Sequence, residues 1–283
     1  MTSTSTSRRI GRAWIITPGL STDRFESAQH SGAAVAVVDI EDSVALADKQ
    51  TARTASEAFF TLPDPPCTLG IRMNSLTTLD GIKDLAALAA YTARPDLIVV
   101  PKVESPRDIE LAAAALDADG YTPDIWALIE SPRAFDTLPA IMRAPRLGGV
   151  IFGSADYAAS VRCGLGWDAL RYARSALINA ATAANIPAID SPTWELDDPG
   201  ILRRDAERAK ELGFFGKSCV HPRHVQVING VFTPTAEEIA QARAVVAAAE
   251  ASGGTVTTVD GRMRGTPFFN AARALVAEAD RTT

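Results

Sequence analysis

Short apolar runs, each broken off by small, polar or turn residues, recur along the chain at intervals that suit alternating strands and helices. The runs are 13–18 (Ala-Trp-Ile-Ile-Thr-Pro), 35–40, 68–73, 97–103, 125–129, 147–152, 187–190 and 216–221. Between them lie stretches with helical spacing. The first follows Ser21, which is placed to cap it, and runs to Gly32; the second carries Lys49 and Arg53 and ends before Pro63. Others cover 79–91 and 109–116, open near Pro132, cover 167–184 beyond a loop at 153–166, and cover the strongly charged 199–212, stopped by Gly213. The strand runs are apolar almost without alternation, as expected of strands covered on both faces. Eight strands separated by seven helical stretches predict an α/β fold with a parallel sheet closed on itself, a TIM (β/α)8 barrel. The runner-up is an open doubly wound sheet, but no glycine-rich dinucleotide fingerprint follows the first strand.

The pattern divides the chain into a disordered lead-in over 1–12, the barrel over 13–233 and a helical extension over 234–283. The extension holds an Ala-rich helix from Thr235, a flexible joint at Gly253-Gly254 and a last helix over 266–279, and it is free to pack on a neighbouring subunit. A chain of 283 residues accommodates such a barrel, which takes roughly 250. A net charge of −6 without a basic block gives a nucleic-acid backbone nothing to bind. No apolar run approaches a membrane span, and the first residues contain no apolar segment of signal-peptide length. Cys67, Cys163 and Cys219 are scattered and odd in number, neither a disulfide framework nor a zinc site, which points to a reducing cytoplasm.

On a barrel, the polar residues that close the strands gather at one end, where barrel enzymes keep their chemistry: Glu41, Asp42, Arg72, Asn74, Lys102, Glu104, Glu130, Asp156, Asp190 and His221. Glu130 and Asp156, at or just past the fifth and sixth strands, are the candidate metal ligands. Two hard oxygen donors suit Mg²⁺, which leaves its other positions to water and substrate. The plainer alternative is that both acids cap the helices that follow. Arg72 is the candidate substrate cation, able to bind a carboxylate or steady an enolate oxygen; its structural alternative is an ion pair with Glu41, Asp42 or Glu104. Glu41 and Asp42 are expected to position water or arginine rather than bind the metal. Lys102 is expected to be a structural partner of a neighbouring acid, and His221 to cap the next helix. These parts suit carbon–carbon cleavage or formation beside a carbonyl.

The residues also resemble the citrate lyase β-subunit-like branch of the HpcH/HpaI aldolase/citrate lyase family. The matching pieces are Thr17-Pro-Gly19, Val38-Asp-Ile-Glu-Asp-Ser43, Ile71-Arg-Met-Asn74, Pro101-Lys-Val-Glu-Ser105, Ala127-Leu-Ile-Glu-Ser-Pro132, Phe152-Gly-Ser-Ala-Asp156 and Gly216-Lys-Ser-Cys-Val-His-Pro222. The resemblance implies Mg²⁺ on Glu130 and Asp156, and a homotrimer or homohexamer. It implies substrates that are short β-hydroxyacyl thioesters of coenzyme A or an acyl carrier, cleaved to an acyl thioester and a 2-keto acid. It also implies that Gly153 and Ser154 grip the keto acid through backbone amides, that Arg72 steadies the thioester enolate, and that rim bases such as Lys49 and Arg53 meet coenzyme A phosphates. One departure stands out. Coenzyme A lyases of this kind carry an aspartate in the C-terminal segment that acts as acid or base; here Asp260-Gly-Arg-Met-Arg-Gly-Thr-Pro267 has Gly265 in its place. Asp260, Glu41 and Asp42 are the candidate replacements. The departure keeps two rivals in view: an aldolase acting on a free 4-hydroxy-2-keto acid, and a non-catalytic protein that binds a coenzyme A ester.

Overall fold

The computed structural model describes residues 12–117 and 120–282. The predicted lead-in lies outside the described residues, apart from Arg12. Eight parallel strands close into a barrel in sequence order: β1 (Ala13–Pro18), β2 (Val35–Asp39), β3 (Thr68–Arg72), β4 (Leu97–Val100), β5 (Asp124–Ile129), β6 (Leu147–Phe152), β7 (Ala188–Asp190) and β8 (Gly216–Cys219), with β8 returning to β1. The fold is the predicted TIM barrel.

The unbroken apolar runs have a direct cause. Side chains on a strand point alternately to opposite faces, so every second residue faces the barrel interior and the rest face the helices. Trp14, Val35, Val37, Leu97, Val99, Trp126, Leu128, Ile151 and Ile189 pack as one cluster, with the Trp14 and Trp126 rings 4.4 Å apart. Their neighbours, among them Ile15, Ala36, Val38, Ile98 and Ala127, pack in a separate cluster with helix residues such as Ile109, Leu138 and Leu177. Both faces are therefore dry.

Most helix starts follow their sequence signals. Ser131 caps the helix Pro132–Ile141 by accepting the Ala134 N–H, with Pro132 in the first turn. Asp198 caps Pro199–Leu212, and Gly213 ends it with φ 108°. Two local expectations differ. Ser21 makes no side-chain cap, and the stretch after it is a 3₁₀ turn (Thr22–Arg24) and a short helix, Phe25–Gln29. The stretch read as a loop before Trp167 contains a helix, Ser154–Val161. Arg162 stops it in the left-handed region, a conformation the sequence gives no sign of.

Residues Thr233–Thr283 form a second compact unit. Its helices Ala236–Ala251 and Thr266–Thr282 enclose Ala242, Val245, Ala249, Phe269 and Ala272. The segment around Gly261 forms an unanticipated hairpin of β9 (Thr257–Val259) and β10 (Arg262–Arg264). Asp260 and Gly261, at φ 50° and 71°, supply the left-handed pair that a tight hairpin turn favours. No described helix is long and apolar enough to cross a membrane.

Candidate active site

The strand register sets the first contact. Asp39 and Arg72 close β2 and β3 and are direct register partners. Arg72 donates from Nε to Asp39 Oδ1 and from Nη2 to Oδ2, each at 2.7 Å, a two-pronged grip that fixes the guanidinium plane. Asp39 also accepts the backbone N–H groups of Glu41 and Ser43. Burial alone would raise its pKa, but the Arg72 charge and these bonds outweigh burial and hold it below the usual carboxylate range. Arg72 Nη1 lies 3.1 Å from Glu41 Oε2. Burial works against the Arg72 charge, yet Asp39, Glu41 and Glu130 raise its pKa above the ordinary arginine value.

Lys102 bridges to the next part of the site. Its Nζ lies 2.7 Å from Glu41 Oε1 and 3.6 Å from Asp42 Oδ1. Its backbone N–H donates to Glu130 Oε1 at 2.8 Å from a left-handed turn, φ 53°, uncommon for a residue with a side chain. Glu130 follows β5 directly and is buried. It does not cap the next helix, because Ser131 does. Gly153, just past β6, makes room for it: a Cβ there would lie 2.4 Å from both Glu130 Cβ and Oε2. Asp156 projects from the first turn of Ser154–Val161. Burial, then the charges of Glu41 and Asp156, push the Glu130 carboxyl well above the ordinary glutamate value.

Arg72, Glu130, Gly153, Ser154 and Asp156, with Asp39 and Asp42, line one cavity of about 430 Å³ at the strand ends. Around it, five carboxylates (Asp39, Glu41, Asp42, Glu130 and Asp156) face three cations, Arg24, Arg72 and Lys102. Glu41 Oε2 is buried without a hydrogen bond among the described residues, its approach to Arg72 being poorly aligned. Acid surplus, a raised glutamate and an orphaned carboxylate oxygen together fit a divalent cation. Among the described residues no group of three or more His, Cys, Asp or Glu forms a closed metal cage. An ion here would be one held by two carboxylates and completed by water and substrate, the habit of Mg²⁺.

Other expected members go elsewhere. Arg53 is buried and paired with Asp84 at 2.6 Å and Asp80 at 2.9 Å, so it cannot reach a coenzyme A phosphate. Lys49 spends its ammonium on the carbonyls of Ile40 and Glu41. Asn74 joins the Arg53 network through Asp84. Glu104 bonds Ser131 and lies near Arg133. His221 accepts the Arg223 N–H at its own helix start. Asp190 lies deeper, shared by Lys217 and Arg174. Asp39 was not singled out from the sequence, although two neighbouring strands ending in Asp39 and Arg72 carried the signal.

The sequence matches the family described as HpcH/HpaI aldolase/citrate lyase over residues 12–222, and the family described as C–C bond lyase of the TIM-barrel fold over 167–280. It is 30% identical to the citrate lyase subunit beta of Escherichia coli K12, across 96% of this chain and 94% of that protein. It is 32% identical to the L-malyl-CoA/beta-methylmalyl-CoA lyase of Cereibacter sphaeroides, across 96% of this chain and 95% of that protein. A Mycobacterium tuberculosis protein, CitE, solved with magnesium, acetoacetate and coenzyme A, superposes with a TM-score of 0.83 at 28% identity, covering 96% of this chain and 99% of that one.

Proposed function

Because the chain belongs to the HpcH/HpaI aldolase/citrate lyase family, we propose that it is a Mg²⁺-dependent carbon–carbon lyase that splits, or forms, a short β-hydroxyacyl coenzyme A thioester, yielding an acyl thioester and a 2-keto acid. The observation that carries this reading is the buried acid Glu130 opening, with Asp156 and Arg72, onto one acid-rich cavity at the strand ends. Glu130 and Asp156 would hold the metal, and an ion there would supply positive charge against the keto oxygen of the acid.

The chain's own residues do the rest. Asp39 and Glu41 lock Arg72, leaving N–H groups free to meet the oxygen on which enolate charge develops. The backbone N–H of Ser154, at a helix start, favours the carboxylate of the keto acid, whereas the Gly153 N–H expected beside it is already donated to the Ile129 carbonyl at 3.0 Å. Lys102 holds Glu41 and, through its backbone, Glu130. Asp42, exposed and lining the cavity, is the acid placed to carry the proton that Gly265 cannot. The assembly is a homotrimer or a multiple of it.

Gly265 favours a second reading, a coenzyme A ester binder without turnover. Nothing local demands glycine: an added Cβ would meet only Val256 Cγ2, at 3.3 Å. One assay separates the readings. Purified protein with Mg²⁺ is given malyl-, citramalyl- and citryl-coenzyme A, and 2-keto acid, acyl thioester and free thiol are followed together. Lyase activity releases keto acid and acyl thioester in equal amounts. Tight thioester binding without product establishes the binder; free thiol without keto acid means hydrolysis. Cleavage of free 4-hydroxy-2-keto acids alone identifies the aldolase.

A further inference from the structure

The connection from β7 to the helix Pro199–Leu212 is mostly polar, yet it carries an indole in the open: Trp194 is 48% exposed. The chain on either side of it is fixed. Lys217 Nζ donates to the Ser191 carbonyl at 2.7 Å, and Thr193 Oγ1 donates to Asp205 Oδ2 at 3.1 Å. The Leu196 carbonyl accepts from Arg223 Nη2 at 2.7 Å and from His224 Nε2 at 3.1 Å. The indole is oriented by one bond, from its Nε1 to Oγ of the buried Ser154 at 3.1 Å.

That bond lies in a wall between two spaces. On one side is the acid-rich cavity of about 430 Å³; on the other is a chamber of about 210 Å³ whose walls include Leu165, Trp167 and Ile201. Ser154, Pro192 and Trp194 line both. Ser154 has a short side chain in the first turn of its helix, and Pro192 is a compact ring. The indole is therefore the one large side chain in the shared wall.

We propose that Trp194 is a size-selecting partition: it restricts the 2-keto acid to one with a short substituent, and shortening it joins the chamber to the cavity. The proposal rests on the keto-acid reading of the main cavity. A keto acid anchored at the Ser154 N–H lies beside the indole, because the same Ser154 accepts the Nε1 bond. Each added methylene then presses on a ring whose backbone is tied on both sides, and overfilling a fixed space is unfavourable. Behind the ring, Leu165, Trp167 and Ile201 offer apolar surface to a neutral chain. Asp205 and Glu195 in the same wall disfavour a chain that ends in a carboxylate.

The test is calorimetric titration of the full-length protein, at saturating Mg²⁺, with the neutral-chain series pyruvate, 2-oxobutanoate and 2-oxopentanoate. One methylene against a fixed wall is worth about tenfold or more, so the wild type should bind pyruvate at least about tenfold tighter than 2-oxopentanoate. In Trp194→Ala that ratio falls to near unity or inverts. Trp194→Phe, which keeps a ring and loses the N–H, retains most of the preference. A merely structural role would weaken all three acids alike and leave the ratio unmoved. Should the alanine variant not fold, Trp194→Leu reads the same question with an intermediate ratio. A wild type that takes 2-oxopentanoate as well as pyruvate, or a ratio that neither shortened side chain moves, overturns the partition and leaves the lyase reading intact. Failure of all three acids to bind the wild type with Mg²⁺ overturns the lyase reading itself, and the partition with it.

Discussion

Asp39 and Arg72 stand opposite each other at the ends of adjacent strands and are joined by two hydrogen bonds of 2.7 Å. Asp39 is almost wholly buried, and the Arg72 side chain is 17% exposed. The pair places a charged, directional donor at the cavity wall while its carboxylate stays out of water.

Removing the carboxylate should therefore cost both stability and activity. Asp39→Ala leaves a largely buried guanidinium without its main partner, and breaking such a pair costs about 3–5 kcal/mol. Urea unfolding should show a drop of that order. At temperatures where the variant is still folded, kcat/KM should fall by about 100-fold, because an unfixed Arg72 no longer meets the enolate oxygen. A variant of normal stability and rate would show that Asp39 does not position Arg72.

Magnesium binding should strengthen as pH rises. Burial and neighbouring carboxylates raise the Glu130 pKa in the metal-free protein. The folded state thus holds a proton that the unfolded chain releases near pH ~4.3, and metal-free stability falls as pH rises from there through the raised native value. Mg²⁺ displaces that proton, so its affinity climbs over the same window. Titrations between about pH 5 and about pH 8 should show this slope, and Glu130→Gln should abolish it. Affinity independent of pH in the wild type would argue that Glu130 is not a ligand.

Asp39 and Asp190 titrate in the opposite sense, since both are held below the ordinary value. Burial opposes this, but Arg72 outweighs it at Asp39, and Lys217 and Arg174 outweigh it at Asp190. Their contribution is fully present above the unfolded aspartate pKa of ~3.9 and is lost as pH falls through the lower native values. Acid unfolding followed by circular dichroism should begin below about pH 4, and Asp190→Asn should move the onset to higher pH.

The buried trio should respond asymmetrically. Asp190→Leu strands two cations, whereas Lys217→Met leaves the neutral pair Arg174–Asp190. The first should cost about 3–5 kcal/mol and the second distinctly less. Equal losses in urea unfolding would mean that packing around Lys217, rather than charge balance, dominates.

Gly265→Asp should raise turnover. The backbone there is not in the left-handed region, and Val256 need yield only slightly. An acid or base in the right place contributes about 100-fold or more, so a slow parent should gain at least about tenfold in cleaving malyl- or citramalyl-coenzyme A. No gain from an inactive parent would count against the missing proton carrier as the cause.

The sequence alone determined the barrel, because buried strands and amphipathic helices are written in local hydrophobic spacing. It also placed Glu130, Asp156 and Arg72 on the rim that became the cavity wall, because a residue that closes a strand in a parallel barrel has only one end to occupy. What lay beyond it was partnership. Arg53 and Lys49 read as free rim bases until packing brought Asp84 and the carbonyls of Ile40 and Glu41 against them. Asp39, Lys217 and Arg174 read as strand and helix residues until register set Asp39 beside Arg72 and Asp190 beside Lys217. The fold decided these because electrostatic pairing depends on distances of a few ångströms between residues far apart in the chain, and those distances exist only once the barrel has closed.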